Sequence, residues 1–326
     1  MRVLVADSFS ETGLAGFRAL GLDVVYTPKA TAEELAREAT QAHIVVVRSR
    51  NVGRDVIEGA AKLSLIVRAG AGVNTIDVAA ASERGIFVTN CPGKNSAAVA
   101  ELTLGLLLAL DRRIADATAE LRAGTWNKTE YSKARGLQGR TLGVIGIGQI
   151  GRLVIRGAQA LGMRVVGWSR SLTDAGAREL GIERRGPLIG VARESDAVTV
   201  HLALTPETRG LVGRDFLSAL RPGTIFLNTS RGEIVDEPAL LVAAAEKKLR
   251  LGLDVFAGEP TEGSAAFAPA PARHPLFAGT PHIGASTDEA QEAISQEAVR
   301  VVKVFLAAGR AENCVNLARF TPARCQ

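Results

Sequence analysis

The chain has 326 residues, enough for about two domains of average size. Its composition is 47% hydrophobic and 22% charged, which excludes a disordered chain, a collagen and a disulfide-rich scaffold. The 39 basic and 34 acidic side chains leave a net charge of +5, without a dense run of lysine and arginine, so we expect no nucleic-acid partner. A mildly basic protein can still attract a small anionic substrate.

The cysteines and the amino terminus predict a cytoplasmic protein. Cys91, Cys314 and Cys325 are few, odd in number and far apart, which is typical of reduced thiols rather than disulfides or a metal site. Asp7 comes too early for the apolar segment of a secretory signal. The longest apolar stretch, residues 102–110, is about half as long as a membrane span requires. We therefore expect no metal and no membrane association.

The first third of the chain alternates short β-branched segments with helix-like segments. Strands are predicted at residues 2–6, 23–26, 44–48, 65–68 and 86–89, and helices at 11–20, 31–40 and 76–84. Apolar strands separated by helices are typical of a parallel sheet covered on both faces. Gly21 and Gly85 follow two of these helices, where a left-handed residue favours glycine.

A boundary follows Cys91-Pro92-Gly93, and the next segment predicts one long helix from residue 95 or 96 to residue 113. This helix is apolar on most of its surface, so we expect it to be buried. Residues 96–126 are accordingly the predicted homodimer surface. Residues 126–137 are polar and show less regular patterning.

A second series of strands is predicted at residues 141–145, 164–168, 197–201, 224–228, 251–255 and 280–283. Six strands with helices between them predict a doubly wound nucleotide-binding sheet. Residues 258–275, rich in alanine, proline and glycine, predict a surface loop. The last helix, residues 288–306, is long enough to return to the first domain. We therefore expect a discontinuous substrate-binding domain (1–94 and 287–326), a dinucleotide-binding domain (95–286) and a cleft between them.

A glycine-rich turn follows the predicted strand at residues 141–145. The first glycine of such a turn permits a tight bend, the second lets the backbone approach a pyrophosphate, and the third allows helix and strand to pack closely. The following helix then directs free N–H groups at the anion. A purely structural turn is the alternative. The predicted dinucleotide-binding residues are Gly146, Gly148, Gln149, Ile150 and Gly151.

The next strand ends without the carboxylate that usually binds the ribose of NAD. The chain has Ser169 and Arg170 there, and both can interact favourably with a 2′-phosphate. In the alternative interpretation, Arg170 is only a solvated side chain at a strand end. We expect NAD(P) as the cofactor, with NADP favoured over NAD.

Three later segments place ionisable groups directly after predicted strands, where open α/β sheets bind ligands. They contain Arg231, Glu259 and His282. Interconversion of a 2-hydroxy acid and a 2-keto acid needs a proton donor and acceptor, a cation beside the carbonyl and carboxylate, and a group that orients the imidazole. Histidine, arginine and glutamate meet these needs. Arg231 could instead pair structurally with Asp236, and Glu259 could be a turn residue.

Three strings resemble the D-isomer-specific 2-hydroxyacid dehydrogenase family: RAGAGVNTID at 68–77, PHIGASTDEAQ at 281–291 and NCVN at 313–316. The resemblance covers nearly the whole chain. It implies an α/β fold of two doubly wound parallel-sheet domains, one flavodoxin-like for substrate and one Rossmann domain for the cofactor. It also implies that His282 is the general acid and base, that Glu259 is its charged partner, and that Arg231 holds the substrate carboxylate.

The resemblance extends to further binding residues. Backbone N–H groups of a turn would hold the substrate carboxylate, and Arg48 and Arg68 resemble the arginines that bind phosphate in members acting on D-3-phosphoglycerate. His201 and Asp254 are predicted to line the cofactor site, with Asp254 a candidate for orienting other groups. Ordinary solvated charge is the alternative for the arginines. The turn residues are Ala71, Gly72, Val73 and Asn74, and the weaker cation candidates are Arg50, Lys128, Lys133 and Arg135.

Three functions follow from these observations. The first is oxidation of D-3-phosphoglycerate to 3-phosphohydroxypyruvate, the entry to serine biosynthesis, or the reverse reaction. The second is NADP-linked reduction of glyoxylate, hydroxypyruvate or another 2-keto acid, favoured by Ser169 and Arg170. The third is a cofactor-sensing corepressor, because a fold does not determine a function. The chain ends about ten residues after Asn316, so we expect no serine-binding regulatory domain.

Overall fold

The computed structural model describes residues 1–260 and 264–319, which form two compact units. The first unit contains Met1–Asn95, Ser264 and the described residues from Ser286 onward, and the second contains Ser96–Pro260 and Ala265–Ala285. Each unit is built around a parallel sheet flanked by helices. The predicted class, α/β with two parallel-sheet domains, is confirmed. Cys325 and residues 261–263 of the predicted loop lie outside the described residues.

In the first unit, the described residues form a five-stranded parallel sheet with the order β2-β1-β3-β4-β5. This is the flavodoxin-like order. Gly21 and Gly85 take positive φ angles of 76° and 67° at the predicted helix ends. The elements before the first boundary are β1 Arg2–Val5, α1 Glu11–Ala19, β2 Asp23–Tyr26, α2 Ala32–Ala39, β3 Ile44–Val47, α3 Arg54–Gly59, β4 Leu65–Arg68, α4 Val78–Glu83 and β5 Phe87–Asn90.

Apolar residues fill both faces of this sheet because successive side chains of a strand point to opposite sides. On one face, Leu4, Val45 and Ile66 pack under α2, α3 and α4. The other face is covered by α1 and by the last long helix, Asp288–Ala308, which ends two residues beyond its predicted end. The two helices pack closely, since a Cβ at Gly16 would lie 3.0 Å from the side chain of Val299.

In the second unit, the described residues form a seven-stranded parallel sheet with the order β12-β11-β10-β9-β6-β7-β8. Its helices are α5 Ser96–Arg112, α6 Ile114–Arg122, α7 Lys128–Tyr131, α8 Gln149–Ala160, α9 Asp174–Glu179, α10 Leu188–Glu194, α11 Arg214–Ala219 and α12 Glu237–Lys247; Asp288–Ala308 of the first unit is α13. Its strands are β6 Thr141–Ile145, β7 Arg164–Trp168, β8 Glu183–Arg184, β9 Ala197–Val200, β10 Ile225–Asn228, β11 Arg250–Leu253 and β12 Phe277–Gly279.

Several predicted elements of the second unit are wrong in detail. The last strand is Phe277–Gly279 rather than 280–283, because Pro281 has no N–H for a strand ladder and His282 has a positive φ of 53°. The two-residue strand Glu183–Arg184 is exposed and charged, so it carries no apolar signal. The predicted helix to residue 113 ends at Arg112, and a left-handed Arg113 separates it from α6.

A carboxylate on α13 stabilises the first unit. Glu297, whose side chain is 8% exposed, pairs with Arg300 at 2.7 Å and with Lys94 at 3.4 Å. It also accepts a hydrogen bond of 3.0 Å from Asn313. The hydrogen bond from Arg300 is the largest of the influences that lower the pKa of Glu297 to about 2.

We expect Glu297→Gln to lower the free energy of unfolding at pH 7 by about 1–2 kcal/mol, discounted for the exposed Arg300. A folded-state pKa below the unfolded value of about 4.3 means that this stabilisation is complete above that value. It is lost as the pH falls toward 2. Urea unfolding of both proteins at pH 7, 5 and 3 measures the difference, with the exposed Glu11→Gln as control. A difference that grows on acidification would contradict this assignment.

Candidate active site

The glycine turn after β6 is a tight bend whose first glycine is required by the backbone around it. Gly146 has a φ of 94°, which strongly favours glycine. Its N–H donates to the Trp168 carbonyl at 2.9 Å. A Cβ at residue 146 would lie 2.3 Å from the carbonyl oxygen of His201. The bend therefore packs directly against the end of β9.

The other two glycines of the turn differ in what surrounds them. A Cβ at Gly151 would lie 2.2 Å from the Gly146 carbonyl oxygen, whereas a Cβ at Gly148 would meet no described atom within 4 Å. Gly148 is the N-cap of α8 and makes no side-chain capping bond, so the N–H groups of Gln149 and Ile150 lack intrahelical partners. The open space and these donors fit a pyrophosphate.

This difference predicts opposite effects of two alanine substitutions. We expect Gly148→Ala to leave the Tm within about 2 °C but to weaken NAD(P)H binding about tenfold or more, because its methyl group would occupy the ligand's space. Gly151→Ala should lower the Tm by about 4 °C or more, because its methyl group meets backbone. Differential scanning fluorimetry and fluorescence titration measure the two effects. Equal losses of Tm in the two variants would contradict the distinction.

The end of β7 carries the residues predicted to select the cofactor. Ser169 is half-buried with its Oγ 3.4 Å from Ser171 Oγ, and Arg170 is exposed. A hydrogen bond from Thr205 and, more weakly, the positive charge of Arg170 contribute to the lowered pKa of Glu207. Arg170 is thus close enough to the loop after β9 for its charge to act there.

His201 lies directly after β9, beside the glycine turn. Its Nε2 is 2.9 Å from Thr199 Oγ1, and burial lowers its pKa to about 3. Its Nδ1 is buried without a hydrogen-bond partner among the described residues. The ring is therefore neutral at physiological pH, and the residue packs next to Gly146 through its own carbonyl group.

His282 and Glu259 form a close pair in the second unit. His282 Nδ1 lies 2.5 Å from Glu259 Oε1, and the Phe256 N–H donates to Glu259 Oε2 at 3.2 Å. Burial on its own would raise the pKa of Glu259, but the hydrogen bond and charge of His282, the Phe256 N–H and the charge of Arg231 together lower it. Glu259 is therefore ionised at neutral pH and faces the imidazole as a carboxylate.

Asp254 holds the backbone that presents His282. Its carboxylate accepts hydrogen bonds from Thr280 Oγ1 at 2.6 Å, the Ile283 N–H at 2.8 Å and the Gly284 N–H at 2.9 Å. Its carbonyl accepts the His282 N–H at 2.8 Å. Burial outweighs these contacts and raises the pKa of Asp254. The loop is thereby wrapped around one aspartate, which holds His282 in its left-handed conformation.

Arg231 lies on the loop after β10, and this loop touches the one that carries Glu259. A Cβ at Gly232 would lie 2.2 Å from the carbonyl carbon of Phe256, so the two backbones are in direct contact. Arg231 Nη1 donates to the Ser230 carbonyl at 2.6 Å. Asp236, the alternative partner, accepts the Ala239 N–H at 3.0 Å as the N-cap of α12.

The ends of β10, β11 and β12 are neighbours in the sheet, since Asn228 pairs with Leu253 and Leu253 pairs with Gly279. Arg231, Asp254 and His282 follow these three strands in the chain. The structure thus brings the predicted arginine, glutamate and histidine together at one edge of one sheet. The glycine turn follows β6 of the same sheet.

The predicted substrate residues lie in the first unit. Arg48 Nη2 donates to Ser286 Oγ at 3.0 Å. The guanidinium of Arg68 lies over Gly70, since a Cβ there would be 1.6 Å from Arg68 Nη1. The turn of Ala71, Gly72, Val73 and Asn74 follows, and Asn90 Nδ2 donates to the Ala71 carbonyl at 2.6 Å. Arg48 directly follows β3 and Arg68 is the last residue of β4, and the two strands belong to the same sheet.

Sequence reasoning missed several residues that build these sites. Thr280, Phe256 and Ser286 each form a hydrogen bond with a predicted site residue, and Asp7 accepts hydrogen bonds from backbone N–H groups of the loop after β3. Ser286 lies inside the string that contains His282 and Thr280 directly precedes it, which was the available signal. Asp7 and Phe256 had none, because their contacts join segments far apart in sequence or depend on backbone geometry.

Among the described residues there is neither a metal-binding cluster nor a helix suited to span a membrane. In the described ranges, we find no group of three or more His, Cys, Asp or Glu side chains that could hold a metal ion. No helix in that part of the chain combines the length and apolar character needed to cross a bilayer.

Sequence comparison relates this chain to known proteins. Residues 104–284 match the family model described as D-isomer specific 2-hydroxyacid dehydrogenase, NAD binding domain. The chain is 40% identical over 324 residues to D-3-phosphoglycerate dehydrogenase of Methanocaldococcus jannaschii, an alignment that covers 97% of this chain and 60% of that protein. The chain thus spans about 60% of the length of this curated relative.

Solved structures with the same fold cover nearly the whole chain. A protein from Thermus thermophilus superimposes with a TM-score of 0.85 at 35% identity, over 97% of this chain and 100% of that one. The NAD+-bound 3-phosphoglycerate dehydrogenase of Entamoeba histolytica superimposes with a TM-score of 0.81 at 28% identity, over 97% and 98% of the two chains.

Proposed function

Because the chain belongs to the D-isomer specific 2-hydroxyacid dehydrogenase family, we propose that it transfers a hydride between NAD(P) and a D-2-hydroxy acid. The observation that carries this proposal is the His282–Glu259 contact of 2.5 Å beside the Arg231 loop, at one edge of the sheet that bears the glycine turn. A protein that only binds a cofactor has no need of such an acid–base pair.

The nicotinamide supplies or accepts the hydride when the cofactor is bound. Since Nδ1 of His282 faces Glu259, proton transfer falls to Nε2, which donates a proton to the oxygen that becomes an alkoxide in the reduction. The ionised Glu259 stabilises the imidazolium and fixes its ring orientation. Arg231 can bind the substrate carboxylate with two parallel N–H bonds and polarise the adjacent carbonyl.

We propose the second unit as the dinucleotide-binding domain and the first as the substrate-binding domain. In the second, Gly146, Gly148 and the N–H groups of Gln149, Ile150 and Gly151 would hold the pyrophosphate, with His201 and Asp254 beside the cofactor. In the first, the N–H groups of Ala71, Gly72, Val73 and Asn74 would bind the carboxylate.

The substrate we propose first is D-3-phosphoglycerate, or 3-phosphohydroxypyruvate in the reverse direction. The relatives named above support it, and so do Arg48 and Arg68, two cations of the first unit that could bind a phosphate. NADP-linked reduction of glyoxylate or hydroxypyruvate is the second candidate, favoured by Ser169 and Arg170. Oxidation of NADPH and NADH with 3-phosphohydroxypyruvate, hydroxypyruvate and glyoxylate discriminates them. If the protein turns over none of these three keto acids, a binding role is favoured.

For the cofactor, we expect NADP to be preferred over NAD. Residues 167–171 contain no carboxylate to repel a 2′-phosphate, and Arg170 is exposed at the strand end. The ratio of kcat/KM for the two cofactors measures the preference, and Arg170→Ala should reduce it while the exposed control Arg178→Ala should not. An advantage of about tenfold for NAD in the unmodified protein would overturn this expectation.

A homodimer through residues 96–126 is supported by apolar side chains left at the surface of α5, α6 and the following turn. Leu108 is 38% exposed, Ile114 50%, Leu121 55% and Trp126 81%. Such side chains are poorly accommodated in water. Sedimentation velocity at micromolar concentration tests this, and a monomer would defeat it. The unpaired Cys91 and Cys314 support a cytoplasmic location.

A further inference from the structure

One carboxylate organises the loop that follows β3 in the first unit. Asp7 Oδ2 accepts hydrogen bonds from three successive backbone N–H groups, those of Arg48 at 2.6 Å, Ser49 at 2.9 Å and Arg50 at 3.1 Å. Successive N–H groups that converge on one point form an anion-binding concavity. Here the chain itself supplies the anion.

Asp7 is held in place by the sheet. It follows β1, which pairs in parallel with β3, and the N–H of the preceding Ala6 donates to the Val46 carbonyl at 3.0 Å. Asp7 and the loop of residues 48–50 therefore lie at the carboxyl ends of adjacent strands. This is the edge at which open α/β sheets bind their ligands.

Because the backbone of residues 48–50 is held in this way, the Cα positions from which two cationic side chains extend are fixed as well. Arg48 Nη2 donates to Ser286 Oγ at 3.0 Å, and Arg50 Nη2 donates to the Pro28 carbonyl at 3.3 Å. Within the described ranges, neither guanidinium forms an ion pair with a carboxylate. Burial lowers the pKa of Arg48, and the negative charge of Asp7 opposes that shift. A partly desolvated cation without an ion-pair partner favours an anionic ligand.

We propose that Asp7 is a positioning residue for substrate recognition, which holds residues 48–50 so that the Arg48 and Arg50 guanidinium groups can bind the phosphate of a phosphorylated 2-hydroxy acid. This inference rests on the proposed function. Asp7 does not touch the substrate, and its own charge would repel a phosphate. Its contribution is therefore geometric, because it accepts hydrogen bonds from three N–H groups and so fixes the backbone of residues 48–50.

The test compares two substrates that differ only in the phosphate, 3-phosphohydroxypyruvate and hydroxypyruvate. We expect Asp7→Ala to raise KM for the phosphorylated substrate about tenfold or more, with KM for hydroxypyruvate and both kcat values changed by less than about threefold. Asp7→Asn keeps an acceptor oxygen, so its KM should rise less. The control is Asp23→Asn, which removes a carboxylate that pairs with Arg2 at the surface of the same unit.

A second measurement reads the geometry without turnover. Hydrogen–deuterium exchange of the amides at residues 48–50 should become about tenfold faster or more in Asp7→Ala, while the amides of β3 keep their protection. Unchanged exchange at 48–50 would overturn the positioning role. So would an equal KM rise for both substrates, or an equal rise in Asp7→Ala and Asp7→Asn. If the unmodified protein does not prefer the phosphorylated substrate, the proposed substrate fails, while the exchange result still tests Asp7.

Discussion

Replacement of His282 by alanine should lower kcat about 10²- to 10⁴-fold, the usual contribution of a positioned general acid or base. The side chain is held by Glu259 at 2.5 Å, and its backbone is fixed by the bond from its N–H to the Asp254 carbonyl. No other imidazole among the described residues contacts Glu259. Steady-state turnover with the preferred keto acid measures the effect.

Cofactor binding should survive this substitution, because the glycine turn belongs to a different loop of the sheet. Fluorescence titration should therefore give a Kd for NAD(P)H within about threefold of the unmodified protein. The matched control is His274→Ala, which removes an imidazole whose Nδ1 only accepts the Leu276 N–H at 3.2 Å. Near-normal turnover in His282→Ala would remove this residue from the mechanism.

The second large effect is expected for Arg231→Lys, which keeps the positive charge but removes the planar fork. One charge-assisted hydrogen bond contributes roughly 1.5–3 kcal/mol. The loss of two parallel bonds to the substrate carboxylate should therefore lower kcat/KM about 10²- to 10⁴-fold. Because the same arginine polarises the carbonyl, we expect kcat to fall in addition to the rise in KM.

The exposed Arg178 on α9 provides a control of the same chemistry, and Arg178→Lys should leave kcat/KM unchanged. The Tm of Arg231→Lys should stay close to that of the unmodified protein, because the Arg231 guanidinium donates to the carbonyl of its own neighbour, Ser230. A variant that retains kcat/KM within about threefold would show that residue 231 does not bind the carboxylate.

The sheets could be predicted from the sequence because their signals are local. Runs such as Ile44–Val47 are apolar at every position and are buried at every position. The glycine turn was also predictable, because its spacing encodes a bend that strongly favours glycine at Gly146. The convergence of Arg231, Glu259 and His282 was inferred from a simple rule, that the carboxyl ends of parallel strands share one edge.

The elements that were predicted wrongly or not at all depend on contacts between residues that are far apart in the chain. Residues 280–283 contain β-branched and apolar side chains, but their backbone is bent by hydrogen bonds to Asp254, about thirty positions earlier in the chain. The short strand Glu183–Arg184 exists because β7 offers it an edge, not because its residues favour a strand. The hydrogen bonds that Asp7 accepts from residues 48–50 could not be predicted from residue spacing either, because they depend on the pairing of β1 with β3.

The late position of α13 has a consequence for biosynthesis. Strands β1 to β5 are complete by residue 90, yet the helix that covers part of one face of their sheet begins at Asp288. At about 5–20 residues per second, the ribosome needs roughly 10–40 s to make the intervening segment. During that interval Val3, Val46 and Val67 lack their Ile294 and Val301 neighbours. We therefore expect residues 91–287, the segment between β5 and α13, to finish folding before the first unit does. We also expect the chain to depend most on chaperones while the sheet of the first unit still lacks this helix.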